Sequence, residues 1–149
     1  MNTKSYTILL ADDDEDDCDF FKEVLDELLI PFSLVTVKDG AQLMEFLSNE
    51  LTENLPDIVF LDINMPRKNG FECLTEIKQS EKLQHLAVMI FSTSLDMSIV
   101  DTMYEKGAIN YICKPGDYVK LKNVIAKALA LLEKNNFKQP TREQFILQP

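Results

Sequence analysis

The chain has 149 residues, of which 46% are hydrophobic and 27% are charged, proportions typical of a soluble globular protein. This composition excludes an intrinsically disordered chain, and the length suffices for one domain with a substantial core. The formal net charge of −10 argues against nucleic acid as a direct partner, because phosphate contacts require clusters of lysine and arginine. The charge instead favours cations and basic surfaces.

The sequence also predicts where the protein resides. No apolar run approaches the length of a membrane span, and Met1 to Lys4 lack the apolar segment of a signal peptide. Cys18, Cys73 and Cys113 are odd in number and far apart, which is typical of reduced thiols. We therefore expect a cytoplasmic protein without membrane insertion.

Short apolar runs alternate with segments of helical periodicity along the whole chain. The apolar runs predict five strands, and the periodic segments between and after them predict five helices. This alternation is typical of an α/β fold with a single doubly wound parallel sheet and right-handed crossovers. The predicted strands are Tyr6–Ala11, Leu34–Val37, Ile58–Leu61, Ala87–Phe91 and Tyr111–Cys113.

One stretch predicts where the functional site lies. Four apolar residues, Ile58 to Leu61, run without polar interruption into Asp62, which indicates a strand buried on both faces. Ligands of open α/β sheets bind beyond the carboxyl ends of the strands, so Asp62 is expected at the rim of a site. A loop should follow, because Pro66 cannot donate a backbone hydrogen bond and Gly70 tolerates a positive φ angle.

Six consecutive acids, Asp12 to Asp17, follow the first predicted strand. Glu15, Asp16 and Asp17 are expected in the first turn of a helix, where the helix dipole favours each negative charge by a few tenths to about 1 kcal/mol. We interpret these three as solvated side chains. Asp12 and Asp13 directly follow a buried strand, and for them a role in a site is favoured.

Polar side chains stand at the carboxyl ends of four predicted strands: Asp12 and Asp13, Asp62, Ser92, and Lys114. These ends share one edge of a parallel sheet, so the side chains should lie close together. Two like charges about 4 Å apart cost roughly 4 kcal/mol at an effective dielectric constant near 20, so the carboxylates imply a bound cation. Few carboxylates with room for water and a phosphate suit Mg²⁺ better than Ca²⁺. A carboxylate, a divalent ion, a hydroxyl and a lysine are also the parts of a phosphoryl-transfer site.

Taken together, the sequence motifs resemble those of the receiver domain of two-component response regulators, close to the stand-alone chemotaxis-type regulators. The resemblance implies a flavodoxin-like (βα)5 sheet with strand order 2-1-3-4-5, a receiver domain over residues 1–133, and a C-terminal tail over residues 134–149 without an output domain. The motifs that carry the resemblance are Ile8–Asp13, Pro56–Pro66, Gly70, Ser92, Gly107–Ala108 and Tyr111–Pro115.

The resemblance also implies a metal site and a phosphoacceptor. Asp62 is expected to accept the phosphoryl group. Asp13 is expected to bind Mg²⁺ directly and Asp12 chiefly through water, with Asp62 and the main-chain carbonyl of Asn64 as further ligands. Mn²⁺ is expected to substitute for Mg²⁺, and no other cofactor is implied.

Three further residues take family roles by the same resemblance. Lys114 is expected to pair with the phosphoryl group. Ser92 is expected to supply the hydroxyl that contacts that group and to act with Tyr111 as a switch residue. Tyr111 matches the aromatic switch residue that turns inward on activation, although plain core packing is the alternative. The peptide bond between Lys114 and Pro115 is expected to be cis.

Function and partners follow from the same family. We expect a switch that takes its phosphoryl group from a sensor histidine kinase or a histidine phosphotransfer protein, with no enzymatic activity beyond its own phosphorylation and slow autodephosphorylation. The signal is expected to leave through the face of the fourth helix, fifth strand and fifth helix, to another protein or a second copy of the chain. That face is expected near Ile99, Met103, Tyr111 and Lys122, and the apolar tail residues Phe137, Phe145, Ile146 and Leu147 either extend it or cover the domain.

A different class of function is the alternative. Asp12 and Asp14 follow the first strand at the spacing used by small phosphohydrolases of the haloacid dehalogenase kind, but this interpretation leaves Asp62 without a role. An EF-hand loop is disfavoured, because Asp17 stands at the position where that loop requires glycine. Turnover of a generic phosphomonoester would separate the hydrolase from the switch.

Overall fold

Six strands form one parallel sheet in the computed structural model, which describes residues 5–149. They are β1 (Tyr6–Ala11), β2 (Phe32–Val37), β3 (Ile58–Leu61), β4 (Ala87–Ser92), β5 (Asn110–Cys113) and β6 (Ile146–Leu147). Their spatial order is β2-β1-β3-β4-β5-β6, and every neighbouring pair is parallel. The predicted order of the first five strands is therefore confirmed, while β6 was not predicted.

Five helices connect or follow the strands: α1 (Glu15–Glu27), α2 (Gly40–Asn49), α3 (Gly70–Gln79), α4 (Met97–Glu105) and α5 (Tyr118–Lys134). Each begins after an aspartate or asparagine whose side chain accepts a backbone N–H of the first turn, a cap that stabilises by about 1 kcal/mol. These capping residues are Asp14, Asp39, Asn69, Asp96 and Asp117. Within residues 5–149, no helix combines the length and the apolar character needed to cross a membrane.

The core lies in two layers, one on each face of the sheet. On β1, Ile8 and Leu10 pack with α1 and α5, while Leu9 and Ala11 pack with α2, α3 and α4. All four of these side chains are fully buried. The apolar run Ile58–Leu61 of β3 is likewise fully buried and divided between the two layers, as predicted for a central parallel strand covered by helices on both faces.

The C-terminal segment adds β6 to the open edge of β5. Tyr111 and Ile112 of β5 pair with Ile146 and Leu147, and Phe145 beside them is fully buried. Phe145 belongs to the layer of α2, α3 and α4, whereas Leu147 belongs to the layer of α1 and α5. The segment therefore covers this edge of the domain, which is one of the two roles considered for the apolar tail residues.

Candidate functional site

The register of β1 and β3 places two aspartates side by side. Ala11 at the end of β1 pairs with Leu61 at the end of β3, so Asp12 and Asp62 follow at the same level of the sheet. The backbone N–H of Asp62 continues the ladder by donating to the carbonyl of Ala11 at 3.0 Å. Both side chains are consequently held at the carboxyl edge of the sheet, as the sequence predicted.

Three carboxylates converge at this edge. Asp12 is fully buried, Asp62 is buried and Asp13 is exposed, and one oxygen from each lies within 4.8 Å of the other two. Oxygen ligands of this kind suit a hard divalent cation, and the exposure of Asp13 leaves room for coordinated water. The residues present therefore fit a magnesium-type site.

Lys114 lies among these acids. Its Nζ atom is 2.6 Å from Oδ2 of Asp12, 3.0 Å from Oδ2 of Asp17 and 3.5 Å from Oδ2 of Asp62. The side chain is only 7% exposed. Burial by itself would lower the pKa of the ammonium, but the hydrogen bond to Asp12 and the charges of Asp62 and Asp12 outweigh it and raise that pKa. Lys114 is thus a fixed positive charge at physiological pH.

Asp62 is a weaker acid in the folded protein than an ordinary surface aspartate. Burial, together with the negative charge of Asp12, raises the pKa of Asp62 to about 6 against the opposing effect of Lys114. A raised pKa marks a carboxylate that is short of compensating positive charge. Binding of a cation or transfer of a neutralising group to Asp62 would relieve that shortage.

Asp17 is the site residue that the sequence analysis assigned wrongly. We interpreted it as a solvated side chain of the first helical turn, but its carboxylate pairs with the ammonium of Lys114 and its side chain is only 34% exposed. The contact joins residues 97 positions apart, which no local pattern reveals. For Asp16, which is exposed, the prediction of a solvated side chain is confirmed.

The loop after β3 is shaped differently from the sequence prediction. Arg67, rather than Gly70, adopts a positive φ angle, of 68°. Gly70 is required by close packing, because a Cβ atom there would lie 2.4 Å from the carbonyl oxygen of Asp62. The N–H of Gly70 also donates to the carbonyl of Ile63 at 2.8 Å. The start of α3 is thereby held directly against the backbone of the predicted phosphoacceptor.

Ser92 and Tyr111 converge on the same neighbour beyond β4. The Oγ atom of the buried Ser92 accepts a hydrogen bond from the N–H of Ser94 at 3.3 Å. The hydroxyl of Tyr111 donates to the carbonyl of Ser94 at 2.6 Å, and the ring is fully buried. Tyr111 therefore points inward, and one loop residue contacts both predicted switch residues.

Two further predictions can be compared with the structure. The backbone N–H of Asn64 donates to Oδ1 of Asp62 at 3.4 Å, so Asn64 lies beside the carboxylates as expected. The expectation of a cis bond between Lys114 and Pro115 is wrong, since the residues described by the structure contain no cis peptide bond. The trans form is the ordinary preference of such bonds.

The predicted output face is partly covered. Met103 and Tyr111 are buried rather than exposed, and Ile99 is half-buried. Lys122 is half-buried and pairs with Glu27 of α1 at 3.1 Å. The surface over α4 and β5 is accordingly built in part by the C-terminal segment.

The geometry does not support the phosphohydrolase alternative. Oδ1 of Asp14 accepts the N–H of Asp17 at 3.1 Å and so caps α1. Asp62, which that alternative leaves without a role, is instead buried among the clustered carboxylates.

Comparison with known proteins gives a consistent result. A family model described as the response regulator receiver domain matches residues 8–126. The response regulator Rcp1 of Synechocystis sp. is 36% identical over 110 residues, covering 72% of this chain and 75% of that protein. The probable C4-dicarboxylate response regulator DctR of Bacillus subtilis is 31% identical over 127 residues, and the chain spans only 54% of its length.

Solved structures agree with the sequence comparison. The phosphorylated cyanobacterial phytochrome response regulator RcpA superposes with a TM-score of 0.78 and 30% identity, over 93% of this chain and 100% of that one. The Mn²⁺-bound form of Rcp1 superposes with a TM-score of 0.73 and 31% identity, over 91% of this chain and 97% of that one.

Proposed function

Because this chain belongs to the response regulator receiver family, we propose that phosphoryl transfer in a two-component system controls the protein and that Asp62 is the phosphoacceptor. The observation that carries the assignment is the position of Asp62, buried at the carboxyl end of β3 and within reach of Asp12, Asp13 and Lys114. These groups offer the carboxylate nucleophile, the metal ligands and the fixed positive charge of a phosphoryl-transfer site.

Four residues would hold a divalent cation: Asp12, Asp13, Asp62 and the main-chain carbonyl of Asn64. Receiver domains bind divalent metal, and we propose Mg²⁺ here with Mn²⁺ as a substitute, because the carboxylate oxygens cluster within 4.8 Å and Asp13 is open to water. When bound, the cation offsets negative charge on the phosphoryl oxygens. The Mn²⁺-bound structure of Rcp1 supports this choice of ligand chemistry.

The residues of the chain divide the work of transfer. A carboxylate oxygen of Asp62 attacks the phosphorus of a phosphohistidine, the N–P bond breaks, and an acyl phosphate forms on Asp62. Lys114 neutralises part of the charge on the phosphoryl group. The oxygen of Ser92 accepts a hydrogen bond from Ser94, so its own O–H can donate to a phosphoryl oxygen. Beyond this self-phosphorylation and a slow autodephosphorylation we propose no enzymatic activity.

The phosphodonor is proposed to be a sensor histidine kinase or a histidine phosphotransfer protein, and receiver domains of this family pair with such donors. Phosphorylation adds negative charge to a site that already contains three clustered carboxylates. A distant surface cannot sense that charge directly through water, so a bistable element has to transmit it. Ser92 and Tyr111, joined through Ser94, are the proposed element.

The output surface is proposed to comprise α4, α5 and the C-terminal segment that covers the β5 edge. Its partner is a separate protein or a second copy of the chain. The hydroxyl of Tyr104 on α4 donates to the carbonyl of Pro140 at 3.1 Å, so α4 and the segment would move together. Amide hydrogen exchange with and without beryllium fluoride tests this surface. We expect protection to change over residues 95–125 and 139–147, and changes confined to the loops around Asp62 would contradict it.

The experiment that tests the function is labelling by acetyl phosphate in the presence of Mg²⁺. We expect one phosphoryl group per chain, measured by the mass of the intact protein, and none on the Asp62→Asn variant. Asp16→Asn is the matched control, because it removes the same charge from an exposed position and should label normally. Equal labelling of Asp62→Asn, or rapid turnover of a generic phosphomonoester, would contradict the assignment.

A further inference from the structure

Both carboxylate oxygens of Asp12 already have a partner within the protein. Its Oδ2 atom lies 2.6 Å from the ammonium of Lys114, and its Oδ1 atom accepts the N–H of Asp14 at 3.0 Å. The N–H of Asp14 is fixed in place, because Asp14 is the residue that caps α1. A cation that uses Asp12, directly or through water, therefore shares this carboxylate with Lys114, and the two positive charges repel each other.

Asp17 offers Lys114 another partner. Its carboxylate Oδ2 lies 3.0 Å from the same ammonium, and its backbone N–H is bonded to the side chain of Asp14 at 3.1 Å. The helix start thus fixes the position of Asp17 independently of the lysine. Asp17 is also the more solvent-exposed of these acids at 34%, against 0% for Asp12 and 11% for Asp62.

From this geometry we propose that Asp17 is a positioning residue for Lys114, holding the ammonium at the edge of the site so that Asp12 is released to the divalent cation. The inference rests on the proposed function, since it concerns the same metal site. It assigns a role to a carboxylate outside the set of metal ligands.

The direction of the effect follows from competition between charges. Without Asp17, the ammonium retains Asp12 and Asp62 as its carboxylate partners, and both are proposed metal ligands. The cation then competes with a lysine that has no third carboxylate as a partner. Removing Asp17 should therefore weaken cation binding, beyond the small loss expected from removing any nearby negative charge.

The test is a calorimetric titration of the metal-free protein with Mg²⁺, which needs no phosphodonor. We expect Asp17→Asn to raise the dissociation constant roughly threefold to tenfold, in keeping with the loss of a partly exposed, charge-assisted contact. Asp16→Asn removes the same charge from the neighbouring, exposed position of the same helical turn. It should change the constant by less than about twofold.

A second background shows whether Lys114 transmits the effect. In Lys114→Gln, Asp17→Asn and Asp16→Asn should change the dissociation constant equally, because the competing ammonium is gone. The variant Asp17→Glu keeps the charge and should remain close to the parent protein. Far-ultraviolet circular dichroism checks that every variant is folded before it is titrated.

Each result decides a separate question. If the parent protein binds no Mg²⁺ in the millimolar range, the proposed metal site fails. If the parent binds but Asp17→Asn and Asp16→Asn behave alike, only the positioning role of Asp17 is overturned. Tighter binding by Asp17→Asn, or a difference that persists in Lys114→Gln, would also overturn it.

Discussion

The backbone N–H of Tyr111 donates to the carbonyl of Phe145 at 3.0 Å, so the predicted switch residue also anchors the C-terminal strand. The ring of Phe145 lies 6.5 Å from the ring of Tyr111 and 5.0 Å from that of Tyr104 on α4. Two further contacts bind the segment to α4 and the chain after it: Arg142 pairs with Asp101 at 2.8 Å, and Gln139 donates to the carbonyl of Ala108 at 2.8 Å. Any movement of Tyr111 therefore takes place beneath a packed segment.

Loss of the Phe145 ring should destabilise the whole domain. The side chain is fully buried between α4 and β5, so Phe145→Ala removes buried apolar surface and leaves a cavity. We expect the free energy of unfolding to fall by about 2–4 kcal/mol in urea denaturation. Phe20→Ala is the control, since Phe20 is 47% exposed and its loss should cost less than about 1 kcal/mol. If the free energy of unfolding of Phe145→Ala fell by no more than the small amount expected for Phe20→Ala, the segment would not stabilise the domain.

The two glycines near the site should respond differently to a methyl group. A Cβ atom at Gly70 would lie 2.4 Å from the carbonyl oxygen of Asp62, whereas one at Gly116 would meet nothing within 4 Å. Gly70→Ala should lower the free energy of unfolding by about 1–3 kcal/mol and slow labelling of Asp62, because the loop must shift. Gly116→Ala should stay within about 0.5 kcal/mol of the parent protein. An unchanged Gly70→Ala variant would mean that the loop is not tightly packed.

Neutralising Asp62 should stabilise the metal-free protein at neutral pH. Burial and the neighbouring charge of Asp12 raise its folded-state pKa from the ordinary value of 3.8 to about 6, in spite of Lys114. The folded protein thus binds a proton on Asp62 more tightly than the unfolded chain does. This proton stabilises the fold fully below about pH 4, and the stabilisation is lost as the pH rises through about 6. Asp62→Asn lacks the ionised form, so its free energy of unfolding at pH 7.5 should exceed that of the parent protein by about 1–3 kcal/mol.

Urea denaturation with a chelator present measures this difference. Between about pH 7.5 and pH 5 the advantage of Asp62→Asn should shrink, because the parent carboxyl becomes protonated. Asp16→Asn serves as the charge-matched control and should show no comparable dependence on pH. A stabilisation of Asp62→Asn that is equal at both pH values would refute the proposed cause.

Replacing Asp13 should weaken metal binding and change the stability of the fold only slightly. Its side chain is exposed, so Asp13→Ala removes a proposed ligand without opening a cavity. We expect calorimetry to show that Mg²⁺ affinity falls about tenfold or more. Labelling by acetyl phosphate should decrease strongly. Asp16→Ala, from the same acidic run, should retain both. Equal impairment of the two variants would contradict the division of that run into ligands and solvated acids.

Most of the site could be predicted because it follows from topology. Uninterrupted apolar runs marked the central strands, and the carboxyl ends of parallel strands necessarily meet at one edge. Asp12, Asp62 and Lys114 therefore had to lie near one another, and the structure brings them together.

The missed features depend on contacts between distant parts of the chain. The strand β6 has only two residues, Ile146 and Leu147, and forms because β5 presents an unpaired edge. Asp17 meets Lys114 across 97 positions of sequence. At Gly70 the residue type was informative, but the reason was the closeness of two backbones rather than a positive φ angle.

Chemical trapping of the acyl phosphate tests the central claim most directly. Borohydride reduces an aspartyl phosphate to homoserine, so treatment after acetyl phosphate and Mg²⁺ marks the modified residue permanently. Peptide mass spectrometry should then find homoserine at position 62, and at none of Asp12, Asp13 or Asp17, with the signal absent when Mg²⁺ is chelated. Homoserine at another acid, or none at Asp62 in protein shown by mass to be phosphorylated, would contradict the account.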